Sequence, residues 1–232
     1  MNSASPRKAD TARRLAVDAA RPEPDALADA AAVIRAGGVV AYPVEHFYAL
    51  ACDPWNPAAV ARLFAAKGRP EHKPLLLAVT ADGLPRVTAG VPAAARALVS
   101  AWPAGLTLVV PAAPSLPEAI TAGTGTVGVR RIPAGAAPVA EALLNLCGGA
   151  LPATSANRSG EDATGDPQPV AQLAGVDLLL DAGVLPAGDR STLVDVTGTP
   201  WRLLRAGACP AERVACWGAL EGSEGEHVYR NR

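Results

Sequence analysis

A chain of 232 residues, half of them hydrophobic, is long enough to bury a sizeable core in one large domain. Its 21 Lys and Arg against 22 Asp and Glu leave a formal net charge of −1. That balance excludes a protein that coats nucleic acid through a basic excess, but not a small basic pocket for an anion. Aromatics make up 4% of the chain, so the core is aliphatic, and no apolar run reaches the roughly 20 residues of a membrane span. Cys52, Cys147, Cys209 and Cys216 form no C-x-x-C pair, which removes zinc-ligand spacing and a disulfide framework. All four read as buried or partly buried small apolar residues. The N-terminal MNSASPRKADTARR is basic with no apolar core behind it, so it is not a secretory signal, and the expectation is a reduced, cytoplasmic protein.

Residues 1–13 are polar and without periodicity, and are expected to be disordered. A helix fits Asp25 to Ala36, with Leu27, Ala30, Ala31 and Ile34 at helical spacing and Gly37 as its stop. Gly38 to Tyr42 reads as a buried strand. The next helix carries both end signals: Asn56 as cap, Pro57 in the first turn, Gly68 beyond the end. Its apolar stripe is Val60, Leu63 and Phe64, and Lys67 falls on the same stripe, which aims it inward. Strands are expected at Leu75–Val79, Leu106–Val110, Thr126–Arg130, Ala150–Thr154 and Asp177–Asp181, with helices at Pro92–Ser100 and Pro138–Leu146. Thr192–Val196 and Trp201–Arg205 flank a Thr-Gly-Thr-Pro turn and read as an antiparallel hairpin. Helices interspersed with strands, closing in a hairpin, imply one α/β domain over 14–218 with a twisted mixed sheet and flanking helices. Residues 219–232 are expected to fray.

No G-x-x-x-x-G-K-[ST] and no strand-linked G-x-G-x-x-G occurs, so a bound nucleotide would rely on side-chain cations and loop amides. Lys67-Gly68-Arg69-Pro70 can supply them, Arg as a fork and Lys as a point charge on a polyphosphate. The same segment also suits a lysine complementing a helix C-terminus beside an exposed arginine. Ala153 to Gly160 runs from a strand into hydroxyl and amide groups, where ligands of open α/β sheets gather. Ser155 and Asn157 would share one side of an extended chain; an ordinary polar turn is the other reading. Ser191 opens a strand, and Arg205 ends the hairpin's other arm; turn chemistry and a surface charge are their plainer roles. With only His46, His72 and His227, no Ser-His-Asp arrangement is available.

Read together, these segments resemble the YrdC/Sua5 family of L-threonylcarbamoyladenylate synthases. The resemblance rests on GGVVAYP at 37–43, CDPWNPAAVARLFAAKGRPEHKPLL at 52–76, WPAGLTLV at 102–109 and TVGVRRIP at 126–133. LPATSANRSG at 151–160, STLVDVTG at 191–198 and LLRAG at 203–207 complete it, spanning roughly residues 25–210. It implies a concave, positively lined cavity that joins L-threonine, bicarbonate and ATP, releasing diphosphate and threonylcarbamoyl-AMP. A partner enzyme then transfers the threonylcarbamoyl group to adenosine 37 of certain tRNAs, so contact with tRNA itself would be indirect or weak.

Carried over, Lys67 and Arg69 would be the catalytic cations. Thr107, Ser155, Asn157 and Arg205 would join them around ATP, with Ser191, Arg130 and His46 on the substrate side. Mg²⁺ is expected to accompany the phosphates. The family's P-T-[ED]-T-x-Y-G-L appears as Pro43-Val44-Glu45-His46-Phe47-Tyr48-Ala49-Leu50, and its P-x-H-P lacks the histidine at 133–138. The nucleotide half therefore matches the family and the amino-acid half departs from it. A divergent paralogue adenylating another carbamate or carbamoyl group is the alternative, as in hydrogenase-maturation carbamoyltransferases. A non-catalytic RNA-binding protein on the same fold is another.

Overall fold

The computed structural model describes residues 11–222, and its strands divide between two mixed sheets rather than one. The five-stranded sheet holds β1 (Arg13–Ala16), β2 (Val40–Pro43), β3 (Tyr48–Ala51), β8 (Thr154–Ser155) and β9 (Leu178–Asp181), in the order β1-β9-β2-β3-β8. The seven-stranded sheet holds β4 (Leu76–Val79), β5 (Leu106–Pro111), β6 (Thr126–Arg131), β7 (Ala150–Pro152), β10 (Thr192–Asp195), β11 (Trp201–Arg205) and β12 (Leu220–Gly222). Its order is β12-β11-β10-β5-β6-β4-β7. Eight α-helices flank them among the described residues. They are α1 (Pro24–Arg35), α2 (Pro57–Lys67), α3 (Leu84–Val87), α4 (Arg96–Ala101), α5 (Glu118–Thr121), α6 (Pro138–Leu146), α7 (Pro167–Ala171) and α8 (Ala211–Ala215). None is long and apolar enough to cross a membrane.

Successive residues of β2, and Val39 just before it, serve different cores. Val39 and Ala41 join the large cluster that both sheets share, with Leu77, Leu108 and Val129. Val40 and Tyr42 point the other way, onto α1 and α6 through Ile34 and Leu143. A strand covered on both faces needs an uninterrupted apolar run, which is why GVVAY shows no alternation. Each large aliphatic side chain fully buried in these clusters contributes about 1.5–3 kcal/mol.

The helix that leads to the site forms as its end signals require. The Asn56 side chain accepts from the amides of Ala58 at 3.0 Å and Ala59 at 3.3 Å, and Gly68 takes the left-handed conformation at φ 56°. The chain that enters the site from the other side changes sheets. Expected as one strand, 150–154 is two: β7 pairs with β4, and after Ala153 the chain crosses to pair β8 with β3. This crossing puts Ser155 at the seam between the sheets.

Three boundaries move. Ala12 is buried and Arg13 opens β1, so order begins before residue 14, while 1–10 lie outside the described residues. β12 extends into the segment expected to fray, and 223–232 lie outside the described residues. The helix expected at 92–100 is a 3₁₀ turn, Ala93–Ala95, running into α4. All four cysteines are free thiols; Cys216 is exposed, unlike the buried or partly buried place expected for it.

Candidate functional site

The end of α2, the β7–β8 crossing, and the starts and ends of β10 and β11 meet in one place. Lys67, on the buried stripe of α2, is 3% exposed. Its Nζ donates to the carbonyls of Ser155 and of Asn157, the latter at 2.7 Å. The Ser159 amide donates back to the Lys67 carbonyl at 2.8 Å, so helix end and loop are tied in both directions. Burial, then the neighbouring cations of Arg69 and Arg190, push the ammonium down to about 7.

Arg69 stands just past the glycine stop. It donates through Nε to the Lys73 carbonyl at 3.1 Å and through Nη2 to the Pro74 carbonyl at 2.5 Å. Burial lowers it to about 10. These bonds fix the guanidinium plane at the rim of an open cleft. Its polar wall includes Arg69, Arg130, Arg190, Arg205, Ser155 and Ser191, with Phe47 and Leu76 among its apolar residues. A hollow beside it is lined by Lys67, Asn157, Ser159, Glu161 and Asp162, and shares Arg69, Ser155 and Arg190 with the cleft.

Strand pairing supplies the far wall. β5 lies between β6 and β10, with Thr107 opposite Arg130 on one side and Leu193 on the other. Thr107, expected to contact the nucleotide, is fully buried; its hydroxyl lies 2.7 Å from that of Ser191, which lines the cleft. Thr107 itself does not line the cleft. Arg205 donates to the Ser191 carbonyl through Nε at 3.1 Å and Nη2 at 2.8 Å. Burial, with Arg190 and Arg130 nearby, lowers Arg205 to about 10. Arg130 is 8% exposed and pairs through Nη2 with Glu45 at 2.5 Å, while its Nε is buried without a partner.

Ser155 and Asn157 do not share one side of an extended strand. β8 ends at Ser155, the Asn157 amide turns back to the Ser155 carbonyl at 3.0 Å, and Ala156 enters the core. Both side chains nevertheless line the hollow. The Asn157 Nδ2 donates to the carbonyls of Arg158 at 2.7 Å and Glu161 at 2.8 Å, leaving Oδ1 buried and unpartnered.

His46 is not brought to the cleft. Its Nδ1 lies 3.3 Å from the Pro186 carbonyl, and a Cβ built on Gly188 would fall 2.3 Å from the ring. The ring therefore rests on the 186–188 backbone, a structural seat in place of the expected substrate contact. Val44 lines a separate, largely apolar hollow with Ala136, Ala137, Val139 and Leu185. Glu45 lines that hollow too, and its ion pair with Arg130 joins the wall of the hollow to that of the cleft. Arg190 is the site residue that sequence reasoning missed; its one signal was its place before Ser191 at a strand entrance.

Two mixed sheets, with a helix end and strand ends converging on four arginines at one cleft, define an α/β domain. The chain belongs to the Sua5/YciO/YrdC family, described as "Telomere recombination", whose profile matches residues 32–207. A threonylcarbamoyl-AMP synthase of Halorhodospira halophila is 48% identical over 56% of this chain and 68% of its own length. One of Alkalilimnicola ehrlichii is 41% identical over 69% of this chain and 84% of its own. The synthase of Pyrococcus abyssi is longer: at 36% identity, 80% of this chain matches 55% of it. The crystal structure of P. abyssi Sua5 complexed with L-threonine superposes with a TM-score of 0.81 at 32% identity, covering 90% of this chain and 62% of that one. E. coli YciO shares the fold, with a TM-score of 0.76 at 22% identity over 87% of this chain and 98% of its own.

Proposed function

We propose that this chain makes threonylcarbamoyl-AMP from L-threonine, bicarbonate and ATP. The supporting observation is the cleft itself, where Arg69, Arg190 and Arg205 meet Ser155 and Ser191 with no acid in the lining. In the reaction the threonine amine and bicarbonate give a carbamate and water. A carbamate oxygen then bonds to the α-phosphorus, the bond to the bridging oxygen breaks, and diphosphate leaves. Such chemistry calls for charge stabilisation and alignment more than for a proton-transferring side chain. Lys67 and Arg69 offset charge where bonding changes. Asn157 and Ser155 hold the phosphate side, and Arg205 with Thr107 fixes Ser191. Arg130, on the substrate side, offers its unpartnered Nε to a carboxylate or carbamate.

Mg²⁺ would travel with the triphosphate. No group of three or more His, Cys, Asp or Glu is placed to cage a metal among the described residues. The acceptors that suit a phosphate-borne cation are Asn157 Oδ1, Glu161 and Asp162, all in the hollow beside the cleft. The product would be the donor that a separate enzyme transfers to tRNA, which places the chain in the compartment of tRNA modification, the cytoplasm. Val44 supports a second reading, a paralogue adenylating the carbamate of a different amine, because the position facing the apolar hollow has no hydroxyl.

Diphosphate release from ATP tests the proposal. It is expected to require both bicarbonate and L-threonine, and to fall at least about 100-fold in Arg69→Ala, the scale of losing a charge-stabilising donor. Release that ignores threonine but follows another amine would favour the second reading.

A further inference from the structure

We infer that Arg190 is a further anion-binding residue of this site, a bidentate contact to the polyphosphate of the nucleotide; the inference rests on the nucleotide reading above. Three residues line both the cleft and the adjoining hollow: Arg69, Ser155 and Arg190. An extended anion reaching from one to the other must pass them.

The cations around this junction differ in how many donors are already engaged. Lys67 is tied to two carbonyls, Arg69 to those of Lys73 and Pro74, and Arg205 to Ser191. Arg130 holds Glu45. The Arg190 guanidinium has no hydrogen-bond or ion-pair partner among the described residues. Asp162 and Glu161 line the hollow, yet neither forms an ion pair with it. Its five N–H groups are open, in the fork that matches two phosphate oxygens.

The position is held on a fixed backbone. The Ala208 amide donates to the Arg190 carbonyl at 2.9 Å, and a Cβ on Gly207 would fall 2.2 Å from that same oxygen. The Thr192 amide, two residues on, donates to the Gly105 carbonyl at 2.8 Å. The charge of Arg190 also bears on its neighbours, lowering both Lys67 and Arg205. Without an anion, clustering these cations is a cost; a polyphosphate removes it.

Attraction grows with ligand charge, so losing Arg190 weakens a triphosphate more than a monophosphate. Calorimetric titration of wild type, Arg190→Ala and Arg190→Lys with ATP, inorganic diphosphate and AMP reads this directly. Arg190→Ala is expected to weaken ATP and diphosphate about 10-fold or more and AMP less than about 3-fold, with Arg190→Lys between, since it keeps charge but not the fork. An equal loss for all three ligands, or a lowered melting temperature accounting for it, gives Arg190 a structural role and overturns the inference. So does unchanged ATP affinity in a variant whose wild-type parent binds ATP. A wild type that binds neither ATP nor diphosphate overturns the nucleotide reading together with this inference.

Discussion

ATP binding at pH 8 is expected to draw a proton onto Lys67. Burial and the charges of Arg69 and Arg190 hold the free ammonium at about 7, so most copies of the side chain are neutral at that pH. By the ordinary titration relation, about a tenth are protonated one unit above such a pKa. A phosphate brought beside it favours the charged form by roughly 1–3 units; two units leave about nine-tenths protonated, a net uptake of ~0.8 proton per nucleotide. The nucleotide phosphates, with a second ionisation near 6, are already deprotonated there and add little. The assay is calorimetric titration at pH 8 in two buffers of different ionisation enthalpy, where the dependence of the heat on the buffer gives the proton count. Lys67→Met, which keeps the volume and removes the titration, is expected to bring that count near zero. No uptake in wild type, or the same uptake in Lys67→Met, would mean that Lys67 is not the group that gains the proton.

Three further outcomes follow from Lys67, Asp195 and Val44. Lys67 is depressed on folding, so between about 7 and its ordinary 10.5 the unfolded chain binds more protons than the folded one. Ligand-free stability therefore rises with pH across that window, and melting temperatures at pH 7 and 9 are expected to separate more in wild type than in Lys67→Met. Asp195 accepts from the Thr197 amide at 2.9 Å, the Thr197 hydroxyl at 2.6 Å and Arg202 at 2.6 Å; burial raises it, but these bonds outweigh burial and hold it low. Asp195→Ala is expected to cost about 1–3 kcal/mol by denaturant unfolding, with nucleotide affinity unchanged. The half-exposed Arg202 adds little to that figure. Val44→Thr puts a hydroxyl on the apolar hollow, and a hydrogen bond of ~1 kcal/mol would raise kcat/KM for threonine about five-fold. No gain in a variant that folds normally would direct the search to amines without a hydroxyl.

The parts of the fold with local causes could be read from the chain. The α2 helix carries its own cap, proline and stop, so its ends and the inward aim of Lys67 were legible. The hairpin of β10 and β11 likewise announced itself through its turn residues, and the pair forms as an antiparallel ladder. What depended on distant segments was hidden. The run 150–154 is apolar throughout, and nothing in its periodicity marks a change of sheet at Ala153. β1 is largely exposed and pairs with β9 more than 160 residues away, so no local pattern identifies it. Thr107 and Ser191 looked equivalent as hydroxyls, but the register of β5 against β10 buries one and opens the other to the cleft. Arg190 had only its place before Ser191 as a signal, because Arg69, Arg130 and Arg205, which make its position meaningful, come from three distant parts of the chain. His46 misled for the opposite reason, as its neighbour Phe47 lines the cleft while its ring turns to the 186–188 loop.

The proposed reaction joins threonine, bicarbonate and ATP in this cleft. The most direct measurement is mass spectrometry of the nucleotide products after incubation with L-threonine, ATP and ¹³C-bicarbonate. A threonylcarbamoyl-AMP peak carrying the label, absent without threonine and lost in Arg69→Ala, is the predicted result. ATP bound by the protein but no labelled adenylate with threonine present would contradict it.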